Sequence, residues 1–82
     1  MKLDRLSIFN FINNVIVEEL VLRGVDIEID SRFTEDLSLD KPDINTLAYR
    51  VECKYDVYIP QINLDRMETI VDLIDFVELC FT

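Results

Sequence analysis

Apolar residues recur at helical spacing in three parts of this chain, and the first two parts are separated by a stretch with no sustained helical period. Leu6, Phe9, Ile12, Ile16 and Leu20 follow in steps of three and four, which places them on one face of a helix. A helix is therefore expected over residues 4–23. Gly24 comes directly after it and offers the left-handed residue that commonly ends a helix. Val25, Ile27 and Ile29 alternate as a short strand would. We nevertheless read Val25 to Leu39 as a long ordered loop, pinned to the core by Ile27, Ile29, Phe33 and Leu37.

The second helix announces itself by its start. Asp40 is an N-cap residue, Pro42 stands in the first turn, and Asp43 lies three residues beyond the cap. Ile44, Leu47, Ala48, Val51 and Tyr55 then form its apolar face, with Tyr55 and Tyr58 both expected in the core. Pro60 closes the following turn, and a short helical turn is expected over residues 63–66. Thr69 with Asp72 makes another capping pair, followed by the stripe Ile70, Leu73, Ile74 and Val77. Such stripes can only be buried against one another, so residues 1–82 are expected to form a single all-α domain. Its architecture would be an antiparallel four-helix bundle of three main helices and one short one, with a long first loop.

Composition narrows the function. The chain has 82 residues, half of them hydrophobic, enough for one small core. Its 8 basic and 17 acidic residues give a formal charge of 8 − 17 = −9. Nucleic acid and anionic membrane surfaces would repel such a chain, so neither is expected as a partner, and a basic protein surface is. The acids crowd into the loop and the helix start: Asp26, Glu28, Asp30, Glu35, Asp36, Asp40 and Asp43, against only Arg32 and Lys41.

There is no histidine, which removes histidine-based acid–base chemistry and the usual zinc sites, and no nucleophile–base pair can be assembled. No enzymatic activity is expected. Cys53 and Cys80 form no CxxC pair and are read as reduced thiols. Asp40, Asp43 and Asn45 fall at positions 1, 4 and 6 of a would-be calcium loop that also lacks its glycine, so no metal site is expected. Near the N-terminus, Lys2, Asp4 and Arg5 precede apolar residues interrupted by Asn10, Asn13 and Asn14, neither a signal peptide nor a membrane span. A cytoplasmic monomer is expected.

Three segments resemble the acyl carrier protein family. Phe33-Thr34-Glu35-Asp36-Leu37 is similar to the family's "F-x-E-D-L". Tyr55 to Pro60 resembles its "F-x-x-x-I-P", and Thr69 to Val77 its closing "T-V-x-x-x-x-D-Y-I" helix. No gap is needed between Phe33 and Val77. The resemblance implies a four-helix carrier whose serine, in an "Asp-Ser-Leu" motif at the start of the second helix, bears 4′-phosphopantetheine. It also implies docking to basic surfaces of fatty-acid or polyketide-type enzymes.

The pattern breaks at the attachment point. In the ungapped register the motif reads Asp40-Lys41-Pro42-Asp43, with Lys41 in the serine position. A lysine amine cannot form the phosphodiester, so no covalent cofactor is expected. The alternative is attachment at Ser38, because Ser38-Leu39-Asp40 also reads as the family's "Ser-Leu-Asp". A three-residue slip turns a helix by about 300°, close enough to one turn to keep a similar face. Asp40 and Asp43 serve first as caps and second as docking charges. By the resemblance, Glu52 on the outer side of the second helix and exposed Tyr49 complete the docking set.

Overall fold

Among the described residues four helices form: α1 (Arg5–Glu18), α2 (Lys41–Tyr55), α3 (Gln61–Arg66) and α4 (Ile70–Cys80). The computed structural model describes residues 4–22 and 24–81. Among these residues the only extended pairing is one isolated antiparallel bridge between Arg32 and Thr69. The expected all-α architecture is the one observed, with α1 packed against both α2 and α4.

Both packings are antiparallel. Arg5, in the first turn of α1, places Nη1 2.8 Å from Asp75 Oδ1 and 2.8 Å from Glu78 Oε1 near the end of α4. Along the other side, Phe11 meets the Tyr55 ring edge-on at 5.9 Å, while Glu19, further along, pairs with Arg50 at 3.1 Å. Tyr55 is half-buried, and that burial pushes its phenol above the usual range. Tyr58, also expected in the core, is instead 74% exposed. It lies in the non-helical segment after α2, where no helical stripe governs which way a side chain faces.

Helix α1 departs from expectation in its face and in its length. The buried positions are Ile8, Ile12, Val15 and Ile16, whereas Leu6 is 63% exposed and Phe9 half-buried. Because α1 is apolar on several sides, more than one series of three-and-four steps can be drawn through it. Contact with two neighbouring helices selects the one that is buried. The helix ends at Glu18, with the Glu19 and Leu20 N–H groups both donating to Val15 O at 2.9 and 3.2 Å. Arg23, the expected last residue, lies outside the described residues. The reversal passes through Val21 at φ 54°, a left-handed conformation costing a β-branched residue roughly 1–2 kcal/mol. Gly24 is left-handed as expected, at φ 78°, but it belongs to the loop and caps nothing.

The loop is anchored through its second half. Phe33, Leu37 and Leu39 are buried, Ile27 is half-buried, and Ile29, an expected anchor, is 42% exposed. The reason lies in the backbone. Phe33 N–H donates to Glu68 O at 2.9 Å and Ile70 N–H donates to Ser31 O at 3.1 Å, joining this half to the start of α4. Buried Ser31 also accepts the Glu28 N–H at 2.8 Å, which tightens the bend before it. Helix α3 starts at Gln61 after Pro60, slightly earlier than the expected turn, and ends at Arg66.

Candidate functional site

The start of α2 is built by two aspartates. Asp43 N–H donates to Asp40 Oδ1 at 3.2 Å, and Asp40 N–H donates to Asp43 Oδ2 at 3.3 Å, a reciprocal capping box. Pro42, in the first turn, lacks an N–H that would have had no partner there. Thr46 Oγ1 donates back to the Pro42 carbonyl at 3.0 Å. Lys41 is therefore the first helical residue, and its side chain is 77% exposed. Its Nζ stands 3.9 Å from Asp65 Oδ1, which also accepts from Gln61 Nε2 at 2.9 Å. The lysine thus reaches across from α2 to α3.

Ser38 stands before the cap, in the loop. It is exposed between buried Leu37 and Leu39, at φ 56°, with its N–H donated to Thr34 O at 3.1 Å. This places it at the end of a tight turn. Asp36 accepts the Arg32 backbone N–H at 2.8 Å and the Arg32 guanidinium at 3.1 Å, while Glu35 pairs with the same guanidinium. The guanidinium first, and then the backbone N–H, hold the Asp36 carboxyl below the usual carboxylate range.

The acids expected on the outer surface of α2 are largely engaged within the chain. Asp40 and Asp43 cap each other's backbone. Glu52 is half-buried, with Oε2 accepting the Ile59 N–H at 2.8 Å, so it ties the segment after α2 to the helix and is not an open outer-face acid. Tyr49 is 63% exposed, and hydrogen bonding to the Cys53 thiol pushes its phenol upward. Helix α2 carries Lys41, Arg50 and Lys54 against Asp43 and Glu52, a formal charge of 3 − 2 = +1.

Beneath Lys41 lies an open groove of about 580 Å³ between α2, α3 and the loop. Phe33, Ile44, Leu64 and Met67 supply its apolar lining, and Arg32, Glu35, Lys41, Asp65 and Glu68 its charged one. Asp65 and Glu68 were not singled out from sequence. The Gln61–Asp65 spacing of four was the available signal, in a helix too short to give a clear period. Among the described residues no cluster of three or more Asp, Glu or Cys could hold a metal ion, and no helix is long and apolar enough to cross a membrane.

A short all-α bundle with an acidic loop leading into a doubly capped second helix matches the expected fold, and the family itself is given by comparison with known proteins. No family model matches the chain. It is 37% identical over 76 residues to the acyl carrier protein of Borrelia garinii subsp. bavariensis, covering 93% of this chain and 95% of that protein. The acyl carrier protein of a Sulfurovum species is 33% identical over 89% of this chain and 97% of its own length. That of Wolinella succinogenes is 30% identical over 89% and 96%. The chain belongs to the acyl carrier protein family, whose members are carriers and not enzymes. At the first position of α2 the chain presents the Lys41 amine.

Proposed function

We propose that this protein is a carrier-fold docking module that engages basic surfaces on enzymes of acyl and thioester metabolism without a covalent 4′-phosphopantetheine arm. The observation that carries this reading is Lys41 as the first residue of α2, inside the Asp40–Asp43 capping box. The residues at that position do not fit the arm, since no phosphodiester forms on a lysine amine. The formal charge of −9 supports basic partner surfaces and speaks against nucleic acid or anionic membranes. We take the module to act as a cytoplasmic monomer in fatty-acid or polyketide-type metabolism, with Tyr49 and the acids around the α2 start as contact residues.

The second reading, attachment at Ser38, is favoured by the exposure of that hydroxyl. Against it stands the backbone. Ser38 lies in a left-handed turn residue ahead of the cap, where the first-turn N–H groups that favour a phosphate are not adjacent in sequence. Intact mass after co-expression with a broad phosphopantetheinyl transferase separates the two. The unaltered protein should gain no arm, and Lys41→Ser with Pro42→Leu should gain one. An arm on the unaltered protein that Ser38→Ala abolishes would make the chain a working carrier.

A further inference from the structure

The end of α1 is where sequence and structure disagree over a helix boundary. Apolar spacing and Gly24 predict a helix over residues 4–23, yet α1 stops at Glu18. Its last turn is loosened. Leu20 N–H donates five residues back to Val15 O and Leu22 N–H six residues back to Ile16 O, both at 3.2 Å. The left-handed position of this reversal falls on Val21, a β-branched residue for which that conformation is a genuine outlier. Val21 is 65% exposed, so little packing offsets the strain. Gly24, the residue suited to the position, stands at φ 78° three residues on. A Cβ added there would meet nothing within 4 Å, so it is the backbone angle and not space that favours glycine.

Residues 19–22 can join the helix without exposing apolar surface. A further turn would set Leu22 seven residues beyond Val15 and Leu20 four beyond Ile16, in line with two buried positions of α1. Both leucines already pack half-buried against the core. Val21 would follow exposed Asn14 by seven residues and so stay in solvent, where it is now. Glutamate and leucine are strong helix formers, and regular bonds from residues 20, 21 and 22 to residues 16, 17 and 18 would replace the widened ones. What opposes the longer helix is the loop. It is fastened where Ile70 N–H donates to Ser31 O, and it would have to reach α1 with fewer residues.

We propose that α1 is a two-state element. In the form described here its last turn opens at Val21. In the second form that turn closes over residues 19–22, and Gly24 becomes the left-handed stop. Closing draws in the start of the loop, because a helical residue advances about 1.5 Å where an extended one covers about 3.3 Å. The segment pulled taut is residues 25–30, which carries Asp26, Glu28 and Asp30 and rests on the core through Ile27. The device therefore sets how tightly the acidic first half of the loop is held, whatever the chemistry at Lys41.

Saturation-transfer NMR on the isotopically labelled full chain tests this residue by residue. A minor state of at least about 1% should exchange with the main one at residues 19–22, with Val21 Cα moving from its left-handed to its helical shift. Val21→Gly relieves the strain of the open form and weakens the longer helix. The minor population should then fall at least about tenfold, and the melting temperature should rise. Val21→Asn, which also tolerates the left-handed region, should act in the same direction and less strongly. Because Val21 is exposed, neither variant disturbs the core.

No exchange at residues 19–22 would overturn the proposal even if Val21→Gly raised the melting temperature, since strain without a second state predicts that result. A minor state with random-coil shifts at Val21 would overturn it too, as that is fraying. So would a minor population that Val21→Gly leaves undiminished, or a melting temperature that it lowers.

Discussion

Two helices of this protein start with the same device and use it differently. At α2, Asp40 and Asp43 cap each other around Lys41 and Pro42. At α4, Thr69 and Asp72 do the same around Ile70 and Val71, with Asp72 N–H donating to Thr69 Oγ1 at 3.2 Å. The residue in the first helical position is 77% exposed by its side chain at α2, as Lys41, and fully buried at α4, as Ile70. The α4 start is also stapled to the loop, through the Arg32–Thr69 bridge and the bonds from Phe33 and Ile70. A capping box thus determines where a helix begins, while the surroundings determine whether that beginning is a hinge of the core or an open surface.

The largest expected effect comes from exchanging each first-position residue for alanine. Ile70→Ala should cost about 2–5 kcal/mol by deleting a fully buried side chain. Lys41→Ala should stay within about 0.5 kcal/mol, because its ion pair is exposed. Urea unfolding measures both, and equal losses would erase the distinction between the two starts.

A smaller effect should follow from removing the caps. Asp40→Ala and Thr69→Ala should each cost about 1 kcal/mol, since each leaves first-turn N–H groups unpaired. Hydrogen exchange sharpens the contrast between them. Loss of the Thr69 cap should speed exchange at Phe33 as well as in α4, whereas loss of the Asp40 cap should be felt only within the first turn of α2.

The smallest effect concerns the turn before α2. Asp36 is held below the usual carboxylate range by Arg32, so its contribution is present above the unfolded-state value of about 4 and fades as pH falls through the lower folded value. The pair is exposed and screened by solvent, which keeps the contribution small. Asp36→Asn should therefore lower the melting temperature slightly at neutral pH and flatten its fall below pH 4 or so. An unchanged acid limb in that variant would show that the Arg32 pair contributes nothing to folding.

Most of what was legible in the sequence was local. The starts of α2 and α4 could be placed because a cap and its partner three residues on act over a single turn, and the stripes of both helices are unambiguous. Lys41 in the first position of α2 followed from the same spacing. Tertiary structure alone decided the rest. It chose Ile8, Ile12, Val15 and Ile16 among the apolar series of α1, left Ile29 and Tyr58 in solvent, and turned Glu52 inward to the Ile59 N–H. It also brought Lys41 to Asp65 across the groove. Periodicity reports that a side chain could be buried or a carboxylate could accept, but the partner that makes it so lies on another element, at a distance no local spacing encodes.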